Sequence, residues 1–580
     1  MGLTSSLQIG RTALSASQVG IQVTGNNLAN AATPGYSRQL ALLAPMRDGA
    51  SGGSFIGRGV YVQGIRRQVD QALQARLWSG LAQESSAGID FSLLSSVEAT
   101  LNELSDSDLS SELSAFFGSW SELANSPSSA SARGLVVQQG GSLASAMRTL
   151  RRDLGRLREQ ADAQLSTSVR RADELLSQVA GLNAEIVTTE GGGGQASGLR
   201  DQRDRLIGEL NRYLDVSTIE HPSGAVDVLV GSTPVVLAGT SRGIELARST
   251  ESGALAVAVT VRADGQTLGV TSGSIGALQR QRAELVEDTI ARLDRLASQL
   301  IYQVNRIHST GYAGTPLTSA SGTLAVPVGD RGRALNDPAN ATLAALPYAP
   351  TSGGFFVTVT NTATGAAQTV RIDVDLDGVD ASGAPGFADD TSLDDLTAAL
   401  GAVPNLTAQL NPDGSLALSA AEGYSLAFSE DTSGVLAVLG VNSYFTGTSA
   451  GSIGVRGELA QQPGLLSVGL VTDGSPADNG AALAMVALQD RALGGLGGRS
   501  LRDSWLESVQ SVGLRTDAAR TRAEATTLVR EGLEAQHAAV SGVSTDEEAI
   551  NLMTHQRQYE GAARFITIVD ELMQTLMNMV

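Results

Sequence analysis

The sequence predicts a multidomain α+β fold: the N- and C-terminal parts form a long, coiled-coil-like helical core, and two mostly β domains are inserted into it. Three observations lead to this fold class. Apolar residues recur at helical spacing near both ends of the 580-residue chain, and a longer run of that spacing covers residues 133–186. Two interior segments have a period of two, which is typical of strands. The chain also exceeds what one hydrophobic core usually supports, so several domains are expected.

Charge and composition exclude several function classes. The formal net charge is −20, and nucleic-acid binding needs clustered cations, so nucleic acid is not expected as a partner. All 40 basic residues are arginine, which removes the lysine of a Walker-type phosphate loop and of a Schiff base. The chain contains no cysteine, and it therefore makes neither disulfides nor thiolate metal sites.

The N-terminus lacks the basic segment and apolar core of a Sec signal peptide. No apolar stretch approaches the roughly 20 residues that span a bilayer. We therefore expect a soluble chain without membrane insertion, either intracellular or exported by a route that needs no cleaved signal.

A single apolar stripe marks the first predicted helix. Its members recur every seven residues: Leu7, Leu14, Ile21 and Leu28. Positions between them, such as Gly10, Ser17 and Thr24, are small or polar. The helix is therefore too thin to form a core alone, and its stripe needs a partner.

The stretch "NNLANAATPGYSRQ", residues 26–39, ends this helix. Asparagines, among them Asn27 and Asn30, are poor helix-interior residues. Thr33-Pro34-Gly35-Tyr36 then places proline and glycine at the preferred central positions of a turn. The helix should end near residue 30. Taken alone, the stretch is better explained as a plain helix terminus followed by a turn.

Long helices follow the turn. A helical pair is predicted between residues 88 and 125, broken near "SDSD" and closed at "NSPSS". Apolar residues at three-four spacing over 133–186 predict one helix of roughly 80 Å at about 1.5 Å per residue. "GGGG" at 191–194 ends it as a flexible corner rather than a phosphate cradle.

Strands and helices alternate in the remainder. A hairpin turning at "HPSG", 221–224, opens a small β region, and a helix returns at 274–309. Residues 311–450 are rich in Gly, Thr, Ser, Asp and Ala and predict a separate, mostly β insert. From 478 the chain is helical again.

The last segment predicts a helix that reaches the final residue. Thr545 is the expected N-cap, with Glu548 three residues later completing a capping box. Beyond it, apolar residues keep a three-four rhythm: Leu552, Tyr559, Ala562, Ile566, Val569, Met573, Leu576 and Val580, widened by Phe565, Ile568 and Leu572. The chain is thus helical at both ends, each end with an apolar seam, as expected of a self-assembling subunit.

Catalytic and metal sites are not predicted. The four histidines, His221, His308, His537 and His555, are scattered without metal-ligand spacing, and no G-x-S-x-G elbow occurs. "DVDLDG" from Asp373 opens like a calcium loop, but its twelfth position is Ala384 instead of a glutamate. A half-exposed strand entering a turn is the preferred interpretation, and calcium binding stays open. We predict no cofactor.

The two terminal segments resemble the signatures of bacterial flagellar axial proteins. They are "NNLANAATPGYSRQ" and "SGVSTDEEAINLMTHQRQYEGAARFITIVDELMQTLMNMV". The "TPGYSRQ" form in particular is similar to the hook-associated branch found at the hook–filament junction. Interior stretches agree, including "DQRDRLIGEL" and "DTSGVLAVLGVNSYFTGTSA". A small departure is His555, where the seam would prefer an apolar residue.

This resemblance implies a structural, non-enzymatic subunit of the flagellum. Such a protein is exported unfolded through the flagellar type III apparatus, and its terminal helices form the inner coiled-coil layer of the tube. The implied partners are further copies of the chain, the hook protein, a second junction hook-associated protein and a cytoplasmic export chaperone that binds the C-terminal helix. The implied location is extracellular, at the hook–filament junction. The assembly motif would comprise the stripe residues of the first helix, the residues Asn27, Asn30, Thr33, Pro34, Gly35 and Tyr36, and the C-terminal seam.

Four domains are expected. They are a terminal coiled-coil domain (1–75 with 541–580), an elongated helical domain (76–210, 274–310 and 451–540), a small β domain (211–273) and an outer β insert (311–450). Two other functions stay open: another axial subunit, such as a hook, distal rod or filament-type protein, or a secreted adhesin or hydrolase with helical ends.

Overall fold

A computed structural model describes residues 2–51, 54–101, 108–251, 254–380, 382–472 and 474–579. The chain forms two compact units, each assembled from segments distant in sequence. The first comprises Met1–Leu93, Gln160–Arg282 and Thr516–Val580, and the second comprises Leu94–Glu159 and Ala283–Arg515. The chain is a multidomain α+β protein dominated by long helices.

Helices occur along the whole chain. They are α1 Gly2–Ala29, α2 Gln71–Leu101, α3 Leu109–Asn125, α4 Ala130–Glu190, α5 Ser197–Asn211, α6 Gly273–Gln281, a π-helical turn Arg282–Glu287, α7 Asp288–Ser309, α8 Ala341–Ala344, α9 Leu393–Gly401, α10 Val435–Leu439, α11 Gly457–Gln461, α12 Gly480–Leu488, α13 Leu501–Ser541 and α14 Thr545–Asn578. Short 3₁₀ turns occupy Pro463–Leu465 and Gly494–Leu496.

The strands are short. They are β1 Gln39–Pro45, β2 Gly49–Ser51, β3 Ser54–Ile56, β4 Val60–Arg67, β5 Val216–Glu220, β6 Val226–Val230, β7 Thr233–Leu237, β8 Thr240–Ser241, β9 Ile244–Glu251, β10 Ala254–Val261, β11 Gly311–Ala313, β12 Ser319–Ser321, β13 Gly353–Asn361, β14 Ala367–Val374, β15 Leu406–Leu410, β16 Leu416–Ala420, β17 Tyr424–Ser429, β18 Phe445–Thr446, β19 Gly454–Val455, β20 Ser467–Thr472 and β21 Ser475–Ala477.

In the first unit, the ends of the chain meet. The first helix, α1, packs against the last helix, α14, and against the antiparallel pair β1–β4. In that pair Gln39 lies opposite Arg67, and the register shifts between Leu42 and Leu43. A β-ribbon therefore covers part of α1 directly after the chain turns back.

The main core of the first unit lies between helices and sheet. The four-stranded antiparallel sheet β5-β6-β7-β8 and the pair β9–β10 cover one face of α4 and α5. The buried side chains alternate along the strands, as the period of two requires. The buried residues of this core come from the helices and the strands and include Leu165, Val169, Leu176, Val179, Ile207, Leu210, Val228, Val236, Val259 and Ile275.

Among the described residues, two apolar centres lie in the second unit. One is aromatic: the edge-to-face rings of Phe116 and Trp120 on α3 lie 6.3 Å apart, and Tyr444 lies 5.9 Å from Trp120. The other fills the β insert, between the sheets β14-β13-β17 and β12-β16-β15 and the helix α9. Its largest members are Phe355, Phe428, Leu396, Leu400, Leu436 and Leu439.

Several local predictions are confirmed. The first helix ends at Ala29, and the long helix extends beyond its predicted limits to Ala130–Glu190. The hairpin at 221–224 joins β5 to β6. The predicted break near "SDSD" lies largely in 102–107, outside the described residues. The domain boundaries stay a prediction. In the part of the chain that the structure describes, no helix combines the length and hydropathy needed to cross a membrane.

Candidate assembly site at the chain termini

The helices α1 and α14 pack antiparallel at very short distance. Gly10 faces Ile566, and Gly20, further along α1, faces His555 earlier in α14. A Cβ atom on either glycine would lie 2.7 Å from the opposing side chain, at Ile566 Cγ1 or His555 Nδ1. Real Cβ contacts are longer than this, so the approach depends on glycine at both positions.

Small and polar residues form the inner face of α1. Its buried residues are Gly10, Ala16, Ser17, Gly20, Val23, Thr24 and Asn27. The predicted stripe lies beside this face: Leu7, Leu14 and Ile21 are half-buried, and Leu28 is 41% exposed. The intramolecular contact thus uses the small positions, and the large stripe remains only partly covered.

The predicted seam of α14 divides in the same way. Val569 is buried together with Ala562, and Leu552, Ile566 and Met573 are half-buried. The side chains of Tyr559 and Leu576 are exposed instead. A second apolar row, which we call the outer row, is largely exposed: Phe565, Ile568, Leu572 and Leu576 are 42–58% exposed. Phe565 also touches α1, because a Cβ atom on Gly10 would lie 3.1 Å from its Cδ1.

An apolar cavity of about 470 Å³ lies between the two helices and the β1–β4 ribbon. Its wall combines small residues of both helices with a few large ones: Ile9, Gly10, Ala13, Ala16, Ser17, Leu43, Val60, Gln558, Gly561, Ala562 and Phe565. The small inner faces of the helices therefore leave an open apolar pocket beside Leu43 and Val60.

The predicted turn follows α1 directly. Thr33 N donates to Asn30 O at 2.9 Å, and Tyr36 N donates to Thr33 O at 3.2 Å, which closes the turn around Pro34 and Gly35. Gly35 has φ +77°. A positive φ at the third position, after proline, is the geometry of a type II turn, which favours glycine. The Asn30 side chain caps the helix end by donating to Asn26 O at 2.9 Å.

Asn27 joins the turn to both terminal helices. Its buried amide oxygen accepts from Gln39 N at 3.0 Å and from the Tyr36 hydroxyl at 2.8 Å. Its amide nitrogen donates to Gln39 O at 2.9 Å and to Glu548 Oε2 at 3.1 Å. The side chain thus uses every donor and acceptor that an asparagine amide offers.

Arg38 and Glu548 complete this contact, and no local pattern in the sequence predicts their pairing. The Glu548 carboxylate is 1% exposed and accepts from Arg38 Nε at 2.8 Å, while Arg38 Nη1 lies 2.9 Å from Glu547. Arg38 N also donates to Ser541 O at 2.9 Å. The predicted capping box is wrong: Ser544 caps α14 by accepting from Glu547 N. The carboxylate expected to cap the helix is turned toward Asn27 and Arg38 instead.

Two aspartates of α5 hold the chain after the turn. Ser37 N donates to Asp201 Oδ2 at 3.2 Å, and Arg67 at the end of β4 lies 2.7 Å from Asp201 and 2.8 Å from Asp204. Burial, followed by the charges of Asp201 and Glu548, raises the pKa of Tyr36 to about 12. The Tyr36 hydroxyl therefore keeps its proton and remains a donor to Asn27.

Of the histidines and acidic residues noted in the sequence, His555 belongs to this site, whereas His308 and the cluster around Asp375 lie in the second unit. His308 is fully buried in the second unit, where burial lowers its pKa to about 4. His555 packs on Gly20. Asp375 and Asp377 gather with Asp390, with one oxygen of each within 4.8 Å of the others. Acidic clusters are common on protein surfaces, so calcium binding there stays open.

Known families match this chain at both ends and inside. A model described as the helical domain of the flagellar hook-associated protein FlgK matches residues 94–322. Two further models match the ends: one described as flagella basal body rod protein covers 7–36, and one described as the C-terminal part of the flagellar basal body rod FlgEFG protein covers 535–579.

Curated relatives match over the same regions. Flagellar hook-associated protein 1 of Salmonella typhimurium is 24% identical over 602 residues, covering 99% of this chain and 100% of that protein. The Escherichia coli protein of that name is 23% identical over 99% of this chain and 100% of its own length, and the Bacillus subtilis protein is 35% identical over 38% of this chain and 44% of its own.

A solved structure, the flagellar hook junction protein FlgK from Burkholderia pseudomallei, aligns at 14% identity with a TM-score of 0.48, covering 80% of this chain and 100% of that one. The family models and the end-to-end alignments with relatives agree with one another. Along almost its whole length, the chain is similar to flagellar hook-associated proteins.

Proposed function

We propose that the chain is a structural subunit of the bacterial flagellum that forms the junction between hook and filament and assembles through its terminal helices after type III export. The observation that carries this proposal is the α1–α14 pair. Residues more than 500 positions apart in sequence are locked together by Asn27 and Glu548, while large apolar side chains face outward. The curated relatives of this chain carry names that refer to association with the hook.

The outer surface of the pair supports assembly. Within α1, Arg11 is the single charged residue among 28. An exposed surface helix normally carries charges opposite its apolar stripe. The outer row of α14 adds a line of exposed apolar side chains, and such surfaces mark interaction sites. Neighbouring copies would cover both.

The turn after α1 would direct the chain away from the terminal helices. Asn27, Tyr36 and Arg38 fix its exit relative to α14, and Asp201 receives it on α5. We propose that Thr33–Tyr36 sends the chain outward from an inner helical layer. The remaining residues of the assembly motif would pack between copies.

We further propose the partners and location that this role requires. The partners are copies of the chain, the hook protein, the second junction protein and a cytoplasmic chaperone that shields α14 before export. The location is extracellular, at the hook–filament junction. Within this role the four sequence-defined domains keep their predicted boundaries, and the subunit is structural rather than catalytic.

Another axial subunit is the second candidate. The matches at 7–36 and 535–579 carry basal-body rod descriptions and therefore fit rod or hook subunits as well. The interior match at 94–322 distinguishes a junction subunit from a rod or hook subunit, because the matching model is described as a domain of the hook-associated protein. It favours the junction role.

Complementation of a strain lacking the gene tests the proposal. The outer-row variant Ile568→Asp/Leu572→Asp should abolish filament attachment, seen by electron microscopy, and abolish swimming. The matched control is Leu528→Asp, which changes an exposed leucine of α13. Measuring the export of each variant into the medium separates export from assembly. Normal attachment with the outer-row variant would contradict assembly through this surface, and normal attachment in the deletion strain would contradict the junction role.

A further inference from the structure

Five arginines of α4 surround one open cavity in the second unit. The cavity measures about 600 Å³, and we call it the arginine niche. Its lining consists of Arg148, Arg151, Arg152, Gly155, Arg156, Arg158 and Glu159 from the helix, with Ser449 and Gly451 from the loop before β19. The lining thus combines five arginines with one glutamate and three small residues.

Three of these arginines are paired inside the unit. Arg151 lies 3.0 Å from Asp294, and Arg158 lies 3.5 Å from Glu287. Arg156 pairs with Asp153 one turn earlier on the helix. These contacts hold three side chains of the lining in place but leave the charge of the other two arginines unmatched.

Arg148 and Arg152 are not paired with a carboxylate in the described ranges of the chain. Arg148 donates to the backbone carbonyl of Ile453, and Arg152 donates to the Thr149 hydroxyl at 3.1 Å. They are four residues apart and therefore neighbours on one helix face. Two adjacent guanidinium groups with unused donors form a suitable receptor for a carboxylate, which each can bind through paired N–H groups.

Gly155 keeps the niche open. It lies within the long helix, where glycine costs about 1 kcal/mol relative to alanine. A Cβ atom there would meet only Arg151 Nη1, at 3.7 Å. Core packing therefore does not require glycine at this position, and its effect is to leave room between the arginines.

The second unit also carries the opposite charge in excess. Residues 371–395 contain eight aspartates and one arginine. Arg371 pairs with Asp373 at 3.1 Å, whereas Asp375 and Asp377 are exposed and make no ion pair with the residues that the structure describes. Within one copy, the arginine niche therefore has arginines without carboxylate partners, and the acidic segment has aspartates without arginine partners.

We propose that the arginine niche of one copy binds the acidic segment around Asp375 and Asp377 of a neighbouring copy. This contact rests on the proposed self-assembly and adds a second interface, outside the terminal helices. Two different surfaces of identical chains form a heterologous contact, and such contacts propagate in one direction into a ring or a helical array. That is the symmetry a tubular junction needs. Charge pairs at an interface rim also select register and partner.

Cysteine cross-linking tests the contact directly, because the chain has no cysteine of its own. Full-length Ser449→Cys and Asp377→Cys proteins are mixed under assembly conditions and oxidised. We expect a covalent dimer in the mixture. The control replaces Ser449→Cys by Ser114→Cys, on an exposed position of α3. A dimer yield no higher than in the control mixture would overturn the proposal.

A charge swap provides an independent measurement. The variant Arg148→Glu/Arg152→Glu should weaken self-association of the full chain by about tenfold, a size expected for reversing two surface pairs. Adding Asp375→Arg/Asp377→Arg to the same chain should restore it. The control Arg170→Glu changes an exposed arginine on the same helix and should have no effect.

The outcomes separate the two proposals. If the niche variant associates as the wild type does while the outer-row variant of α14 fails to associate, the niche contact is wrong and the proposed function stands. If the niche variant weakens association but the charge swap does not restore it, the acidic segment is not the occupant. If the wild type itself does not associate and is not needed for filament attachment, the proposed function fails.

Discussion

The terminal helix pair and the aromatic centre of the second unit differ in which residues they bury. In the terminal pair, small residues lie inside and large ones remain at the surface: Gly10 and Gly20 are covered, while Leu28 and Phe565 are exposed. In the aromatic centre the order is reversed, and Trp120 and its neighbours have no exposed surface. Large apolar side chains stabilise a fold most when they are fully buried.

This difference indicates two roles for large apolar residues. Those buried in the second unit stabilise the monomer, and those exposed on the terminal pair are available to bind a partner. The second unit gains its stability from its own interior. The terminal pair relies on close backbone approach and on the polar contact of Asn27, Arg38 and Glu548, and it leaves its large side chains available. Substitutions in the two regions should therefore change different observables.

The largest expected effect is on the aromatic centre. Trp120→Ala removes a fully buried ring packed against Phe116 and Tyr444. Such truncations cost about 3–5 kcal/mol, so the free energy of unfolding of the second unit should fall by this amount. Urea unfolding followed by circular dichroism measures it. Phe565→Ala on α14 is the comparison and should change the unfolding free energy by less than about 1 kcal/mol. Similar losses for both would remove the distinction.

Acidification should also weaken the second unit. Asn442 O accepts from His308 Nδ1 at 2.8 Å, and Ser467 N donates to Nε2 at 3.1 Å, so the buried ring is neutral. Burial lowers its pKa to about 4. The unfolded chain, with a pKa of about 6.5, binds the proton first, so stability falls as pH drops from about 6.5 to about 4 and then levels off.

The expected loss from this histidine is about 3 kcal/mol over that range. Unfolding midpoints of wild type and His308→Asn across the range measure it, with His221→Asn as the control on a half-exposed histidine. Imidazole chemical shifts of His308 give its pKa without a substitution. An imidazole that titrates near 6.5 in the folded protein would contradict the prediction.

A smaller effect is expected at the polar contact between the termini. Asn27→Ala removes the amide that binds Oε2 of the buried Glu548 carboxylate and the backbone of Gln39, while Arg38 still pairs with Glu548 Oε1. An unsatisfied buried polar group costs about 1–3 kcal/mol, here in the docking of α1 onto α14. Hydrogen exchange of amides in 552–576 should become faster, while amides of α7 in the second unit should not change. Asn26→Ala, on an exposed asparagine, is the control. Unchanged exchange in α14 would show that Asn27 does not hold the pair.

Local periodicity predicted much of the fold. The three-four spacing of 133–186 identified α4, and the proline–glycine pair placed the end of α1. Both signals depend only on residues that are close together in the sequence, so they can be recognised in one sequence without a structure. The α+β class followed from the same patterns.

The inner contact of the termini could not be predicted in the same way. Apolar residues at a spacing of seven predict a contact through Leu7, Leu14, Ile21 and Leu28, whereas the closest contact uses Gly10 and Gly20. Glycine has no side chain to produce a hydrophobic signal. The need for glycine at these positions becomes visible only when the position of the opposing helix is known. Arg38 and Glu548 are 510 residues apart, and nothing local connects them. Glu548 fitted a capping pattern that long-range ion pairing overrides.

The smallest expected effect on stability belongs to the turn, although its effect on assembly should be large. In Pro34→Ala/Gly35→Ala, alanine replaces a glycine at φ +77°. Forcing an L-residue into this region costs about 1–2 kcal/mol, and the chain can avoid the cost by extending α1, since alanine favours helix over proline by about 3 kcal/mol. Tyr36 and Arg38 would then lose their register with Asn27 and Glu548. We expect a near-normal unfolding midpoint of the monomer together with loss of filament attachment and swimming. Ala31→Gly, just before the turn, is the control and should attach filaments normally. Normal swimming by the double variant would show that the turn does not direct the chain.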